Sequence, residues 1–316
     1  MARIRSDGLD GLDGSLAILV GYARLHPPFT IGQENIMFRK FTIAILLLAL
    51  AGCGASEKRN ATEIIAGTSL IADIIADLTD ASVATYTMLP SSSCPSQFDL
   101  KTGDIGRLQQ AELIFLHPWQ LQLANIRRVL DAAKVAEDRM RVVDVPGNWM
   151  LPDVQSAAVT ALAAMLSDLY PEQRNIIQDR AERRRTTIHE TGGWARKLLA
   201  DTNAASVAVL CNEMQAPFVR WAGFDVVDTY ARPEDWSVAE TERLVQSGRD
   251  RKVALVIDNL QSGGLRMSET LARDMDAVNV VLSNFPNGFS DTPTWESAFM
   301  ENINRLRKAL EHTTNL

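Results

Sequence analysis

The stretch PEQRNIIQDRAERRRTTIHETGGWARKLLAD, residues 171–201, decides the fold. Pro171 suits the first turn of a helix, where its missing N–H costs nothing. No further proline follows before Asp201. Ile176 and Ile177, Ala181, Ile188, Ala195, and Leu198 and Leu199 recur roughly at helical spacing. A helix over this span would be about 45 Å long. That is too long for one lobe, so the segment reads as a strut between two. Gly192-Gly193 weakens the helix and marks where a bend would fall. Arg183-Arg184-Arg185 reads as a solvated face.

On either side of the strut, short apolar runs alternate with helical patterns. Before it, strands fit Glu63–Gly67, Ala84–Met88, Leu113–Leu116 and Arg141–Val145, and helices fit Leu70–Leu78, Asp104–Gln110, Ala124–Ala133 and the alanine-rich Val154–Leu169. After it, strands fit Ser206–Leu210, Asp225–Val227, Val253–Ile257 and Val278–Leu282, and helices fit Ala216–Ala222, Val238–Ser247, Ser268–Asp276 and Trp295–Glu311. Apolar strands separated by helices indicate parallel sheets. The expected architecture is therefore α/β: two α/β lobes with parallel sheets, joined by one long backbone helix, with a ligand cleft between them. In such folds ligands sit beyond strand C-terminal ends. The segments of interest are Ser91–Asp99, His117–Gln120, Pro146–Trp149, Cys211–Gln215, Asp258–Gly264 and Ser283–Gly288.

The N-terminal region carries an address. Met37-Phe38-Arg39-Lys40 is followed by an apolar run from Phe41 to Ala51, ending Leu50-Ala51-Gly52-Cys53. A basic start, a short apolar run and small residues before a cut make a secretory signal. The run is too short to remain as a membrane span. Leu-Ala-Gly-Cys looks like a bacterial lipobox, so Cys53 is the expected lipidation site and membrane anchor. The expected divisions are an extension that is not part of the native protein over 1–36, a lipoprotein signal peptide over 37–53, a polar tether over 54–61, an N-terminal lobe over 62–170, the backbone helix over 171–202 and a C-terminal lobe over 203–316.

Composition narrows the function. The 316 residues are 46% hydrophobic and 22% charged, which suits a globular chain of about two domains. The net charge of −7 argues against a nucleic-acid partner. No Gly-x-Ser-x-Gly, phosphate loop or His-Glu-x-x-His is present, so no enzyme class is indicated. With Cys53 lipidated, Cys94 and Cys211 remain to pair, stay free or bind a ligand.

Several short motifs then fall in a known order. Leu89-Pro90, Cys94-Pro95-Ser96-Gln97-Phe98-Asp99 and Gly103-Asp104-Ile105 resemble a loop of the form Asp-Pro-His-x-Tyr-Glu-Pro followed by Ser-Asp. Ala111-Glu112-Leu113, Trp149-Met150-Leu151-Pro152, Pro171-Glu172, Asn212-Glu213 through Phe218 to Gly223, and Glu301-Asn302-Ile303 continue the pattern. Over roughly residues 62–312 the chain resembles the solute-binding lipoproteins of zinc- and manganese-type ABC importers. The resemblance implies a receptor that closes on a transition metal and passes it to an ABC permease in the membrane.

The resemblance also implies a metal site of three histidines and one acid. Carried over position by position, the histidines fall on Ser96, Gly147 and Asn212, and the acid on Ser283, or on Asn284 with a one-residue shift. None is kept. Serine and asparagine hold zinc poorly beside imidazole, thiolate or carboxylate. Cys94, His117, Cys211 and Glu213 are possible substitute ligands for zinc, manganese or copper. Their plainer readings are two small buried residues, a hydrogen-bonded loop histidine and an acid at a helix N-terminus. Trp119, Trp149 and Phe285 fall near the cleft, either as walls for an organic ligand or as lobe packing. The expected function is a lipid-anchored receptor, facing the periplasm or exterior, for a transition metal or metal complex. A receptor for a small organic ligand, or an adhesin or scaffold that has lost transport, is the alternative.

Overall fold

Residues 63–99, 101–232 and 236–313 are described by the structure, a computed structural model. The expected extension, signal peptide, lipidated Cys53 and tether lie outside these residues.

Two four-stranded parallel sheets carry the chain. The first contains β1 (Glu63–Ala66), β2 (Ala84–Thr87), β3 (Leu113–Leu116) and β4 (Met140–Val142), in the order β2-β1-β3-β4. The second contains β5 (Ala208–Asn212), β6 (Asp225–Tyr230), β7 (Leu255–Asn259) and β8 (Val278–Leu282), in the order β6-β5-β7-β8. The two sheets share one topology. In each, the strand order reverses beside the first strand, so the switch point opens between β1 and β3 and again between β5 and β7. Two strands run about two residues further toward the C-terminus than the apolar runs suggest: β5 reaches Asn212 and β7 reaches Asn259.

Nine described helices flank the sheets. In the first lobe these are α1 (Ser69–Thr79), α2 (Thr102–Gln110), α3 (Ala124–Ala132) and α4 (Pro152–Leu169). α1 forms because Leu70, Ile71, Ile74, Ile75 and Leu78 share one buried face. It stops at Asp80, in left-handed conformation (φ 54°), whose N–H closes on the carbonyls of Ala76 and Asp77. A 3-10 turn over Pro171–Gln173 leads into α5 (Arg174–Ala200). α5 is one 27-residue helix, so it is about 40 Å long. The second lobe adds α6 (Ala216–Trp221), α7 (Val238–Asp250), α8 (Leu265–Asp274) and α9 (Trp295–Thr313).

α5 packs against α4, against α1 of the first lobe and against α9 of the second. Its buried residues Ile177, Ala181, Arg184, Ile188, Gly192, Ala195 and Leu199 form a stripe along one side. They belong to a continuous apolar core running from Ile64 and Phe115 under the first sheet to Val209, Leu255 and Phe299 under the second. Each sheet buries a separate cluster on its other face. α5 runs through Gly192 without a break, and a Cβ there would stand 2.7 Å from Cγ of Pro152, so glycine permits the close seating of α4.

One expectation about α5 is overturned. Arg183 is exposed and Arg185 half-buried, but Arg184 is buried. It bonds Asp73 of α1, lies 3.3 Å from Asp77 and 3.7 Å from Glu296 of α9. Asp73 also accepts the backbone N–H of Trp295 at 3.2 Å. The arginine triplet is thus not one solvated face. Its middle member lies on the core stripe and joins both lobes to the helix.

Candidate ligand crevice

The C-terminal ends of the two sheets face each other, and the loops that follow them meet. Lobe one contributes Thr68 and Ser69 after β1, the 88–99 loop after β2, His117 after β3 and Asn148 after β4. Lobe two contributes Asn212–Gln215, Ala231-Arg232, Asn259–Gly264 and Ser283–Asn287.

Neutral amides and hydroxyls make up most of the junction. Asn148 Nδ2 donates to the Met214 carbonyl at 2.9 Å and to Asn284 Oδ1 at 3.0 Å. Gln261 Nε2 donates to the Ser91 carbonyl at 2.7 Å and to Ser283 Oγ at 2.9 Å, while Gln261 Oε1 accepts the Asn284 N–H at 3.0 Å. Ser69 Oγ donates to the Pro286 carbonyl at 2.8 Å. Gln215 Nε2 donates to Asn259 Oδ1 at 3.2 Å. Gly263 lets the lobes approach. It sits at φ 76°, and a Cβ there would meet Gln97 Oε1 at 3.1 Å and Cys94 Cβ at 3.6 Å.

The positions matching the resemblance lie in or beside this lattice. Asn212 and Ser283 are fully buried. Asn212 Oδ1 accepts the Met214 N–H at 3.0 Å, and Ser283 N–H donates to Asn302 Oδ1 at 2.9 Å. Gly147 sits beside Asn148 at φ 105°, a region side-chain-bearing residues rarely enter. Ser96 Oγ lies 3.2 Å from Cys94 Sγ and accepts from Arg232 Nη1 at 3.3 Å.

The possible substitute ligands are dispersed. His117 is buried at the β1/β3 switch point. Its Nε2 meets Thr68 Oγ1 at 2.9 Å, and its ring lies between Trp119 (5.5 Å, stacked) and Trp149 (4.4 Å, edge-on). Burial pushes its pKa down to about 3. Cys211 is buried on β5 in the shared core, where burial pushes its thiol far up. Glu213 is exposed. Cys94 and Cys211 are both free thiols. Among the described residues, no group of three or more His, Cys, Asp or Glu could hold a metal ion. The physical reason is alternation along β5: Cys211 faces the core and Asn212 the crevice. The aromatics are mainly packing, with Trp149 and Phe285 in the shared core and Trp119 half-buried against it. Trp295 Nε1 donates to the Trp149 carbonyl at 2.8 Å, which ties α9 to the first lobe.

Residue-level reading of the sequence missed Asn148, Gln215, Arg232, Asn259 and Gln261. All but Arg232 lie in segments marked for their place after strands, and their signal is the density of amides there. Arg232 escaped because β6 extends to Tyr230, three residues beyond its apolar run.

Two polar atoms at the crevice are buried without a hydrogen-bond partner: Asn212 Nδ2, a donor, and Gln215 Oε1, an acceptor. Asp258, a buried acid of β7, accepts from Ser262 Oγ at 3.2 Å and from the Asn259 N–H at 2.7 Å, and burial raises its pKa.

This architecture has known counterparts. The family of ZnuA, the zinc-uptake complex component A, periplasmic, matches residues 64–309. The metal-binding protein YtgA of Chlamydia trachomatis serovar D is 22% identical over 87% of this chain and 97% of its own length. The periplasmic zinc-binding protein TroA of Treponema pallidum superposes with a TM-score of 0.66 at 18% identity, covering 79% of this chain and 99% of TroA. A manganese-bound periplasmic metal-binding protein of Candidatus Liberibacter asiaticus gives 0.65 at 13% identity, with the same coverage.

Proposed function

Because the chain belongs to the family of ZnuA, the periplasmic component A of zinc uptake, we propose that it is an extracytoplasmic ABC-importer receptor with a divergent site. It captures a metal complex or a small organic ligand between its lobes and delivers it to a membrane permease. The family is one of binding receptors and not of enzymes. One observation carries the divergent part of the reading. The positions matching the family's metal ligands are Ser96, Gly147, Asn212 and Ser283, and neutral amides surround them. Such oxygens and N–H groups recognise a ligand by hydrogen bonding and are weak partners for a bare transition metal.

Cys53, within Leu50-Ala51-Gly52-Cys53, is read as the lipid anchor to the bacterial cell membrane, with the protein facing the periplasm or exterior. Cys53→Ala is expected to move the protein from the membrane to the soluble fraction; unchanged fractionation would remove the anchor from the reading.

The deciding experiment is native mass spectrometry with elemental analysis of the purified mature protein, reduced and unreduced. A receptor should carry or take up one saturable ligand and be stabilised by it, by about 2.7 kcal/mol at a hundredfold excess over Kd. Stoichiometric zinc or manganese without an organic mass would reject the divergent site. No ligand at all, with a protein captured instead, would favour a scaffold.

A further inference from the structure

We propose that Gln261 is a built-in latch that holds the two lobes closed, making with protein groups alone the bridge that the resemblance gives to a bound metal. The inference concerns the crevice of the receptor reading but rests on no particular cargo.

Reach comes first. Gln261 lies buried on the short 3-10 turn Leu260–Ser262 after β7. Its Nε2 crosses to lobe one, donating to the Ser91 carbonyl at 2.7 Å, and also donates within lobe two to Ser283 Oγ at 2.9 Å. Ser91 is braced in turn. Its Oγ donates to Ser69 Oγ at 2.9 Å, and Ser69 Oγ donates back across the crevice to the Pro286 carbonyl at 2.8 Å. The turn that carries Gln261 is pinned from beneath. Asn259 Oδ1 accepts the Gln261 N–H at 3.4 Å, and buried Asp258 accepts the Asn259 N–H at 2.7 Å and Ser262 Oγ at 3.2 Å. The latch is therefore set by the fold of lobe two before it meets lobe one.

Hydrogen-bonding capacity comes second. A serine hydroxyl offers one proton and two lone pairs. Ser283 Oγ gives its proton to the Phe285 carbonyl at 2.9 Å and accepts from the Phe285 N–H at 3.1 Å and from Gln261 Nε2. It is full. Gln261 has spent both its N–H groups, and its Oε1 accepts the Asn284 N–H at 3.0 Å. Ser283 is the position that matches the family's acid, and it has nothing left for a cargo while Gln261 lies in place. A cargo reaches it only by displacing Gln261, which undoes the bridge between the lobes at the same point. Loading is gated by the latch.

The test is hydrogen exchange read by mass spectrometry on the full mature protein after dialysis against a chelator. Peptides over 88–99 and 283–288 report the two rims, and peptides of α5 report the core. Gln261→Ala and Gln261→Leu are each expected to speed exchange at both rims about tenfold or more, as loss of several net hydrogen bonds requires, with α5 unchanged. Leucine fills the same space without the hydrogen bonds, so rims as protected in Gln261→Leu as in the wild type would show that packing closes the lobes, and would overturn the latch. Zinc added to the wild type should leave its rims unchanged. Slower rim exchange with zinc would mean that cargo makes the bridge; the latch falls and the receptor reading stands. Gln261→Asn keeps the carboxamide but shortens its reach, and should behave like Gln261→Leu. Loss of α5 protection in all three variants would place Gln261 in the core and overturn the latch as well.

Discussion

His117 shows how a single residue can suit a family's chemistry and still do another job. Its imidazole stands at the switch point of the first sheet, where a ligand group would be placed. Yet it is 4% exposed, engaged with Thr68 and enclosed by two tryptophans. Burial holds its pKa near 3, so it stays neutral in the folded protein while the unfolded chain protonates it near 6.5. The unfolded state therefore binds the extra proton between these values, and folding stability falls as pH drops through that window, by about 1.4 kcal/mol per unit. Asp73 works in the opposite sense. Burial raises its carboxyl to about 6, with Arg184 pulling it back, so its contribution declines as pH rises from about 4 to 6. The two slopes overlap, so the readout is the difference between wild type and His117→Gln. Urea-unfolding free energies measured from pH 7 to pH 4 should diverge, with the variant losing less; parallel curves would show that His117 is protonated in the fold.

At the scale of elements, α5 was legible from its length and apolar spacing, and the strands from their apolar runs. The polar members of these elements were harder to read. Asn212 and Asn259 end their strands because the backbone ladder continues after the apolar run stops, and hydrophobicity carries no trace of a ladder bond. Arg184 was readable in principle. Positions 177, 181, 184, 188, 192, 195 and 199 keep one helical stripe, and the neighbouring arginines masked its middle member. Two tests separate the sides of α5. Arg184→Ala leaves the Asp73 carboxylate buried without its main counter-charge and should cost about 3–5 kcal/mol. Pairing Arg184→Met with Asp73→Asn keeps an acceptor for the Trp295 N–H and removes both charges, so it should recover most of that loss. The glycine pair should split. Gly192→Ala drives a methyl into Pro152 and destabilises by about 1–3 kcal/mol, while Gly193→Ala meets open space and stabilises by about 0.5–1 kcal/mol. Equal effects at 192 and 193 would mean that α4 does not seat against this face.

At the scale of the whole molecule, the apolar core passes beneath both sheets and along α5 without a break. A chain of two lobes joined by a linker would bury two separate cores and could unfold in two steps. Here Trp149 of the first lobe and Trp295 of the second lie in the same cluster and are linked by a hydrogen bond, and Arg184 ties α1 and α9 to one helix. Neither lobe can swing widely without exposing that shared surface. Opening must instead break the rim contacts, chiefly those of Asn148, Gln261 and Ser69, each worth about 1 kcal/mol net. Ligand entry therefore requires small displacements at the crevice mouth with the core intact. Thermal unfolding should then be a single transition, with far-ultraviolet circular dichroism and tryptophan fluorescence coincident despite the presence of two sheets. Asn148→Ala combined with Gln261→Ala should leave that transition single but lower it clearly, since both side chains lose all their rim hydrogen bonds, while speeding ligand association and dissociation together. Two resolved transitions in the wild type would mean that each lobe has a core of its own, and the small-motion account would fail with it.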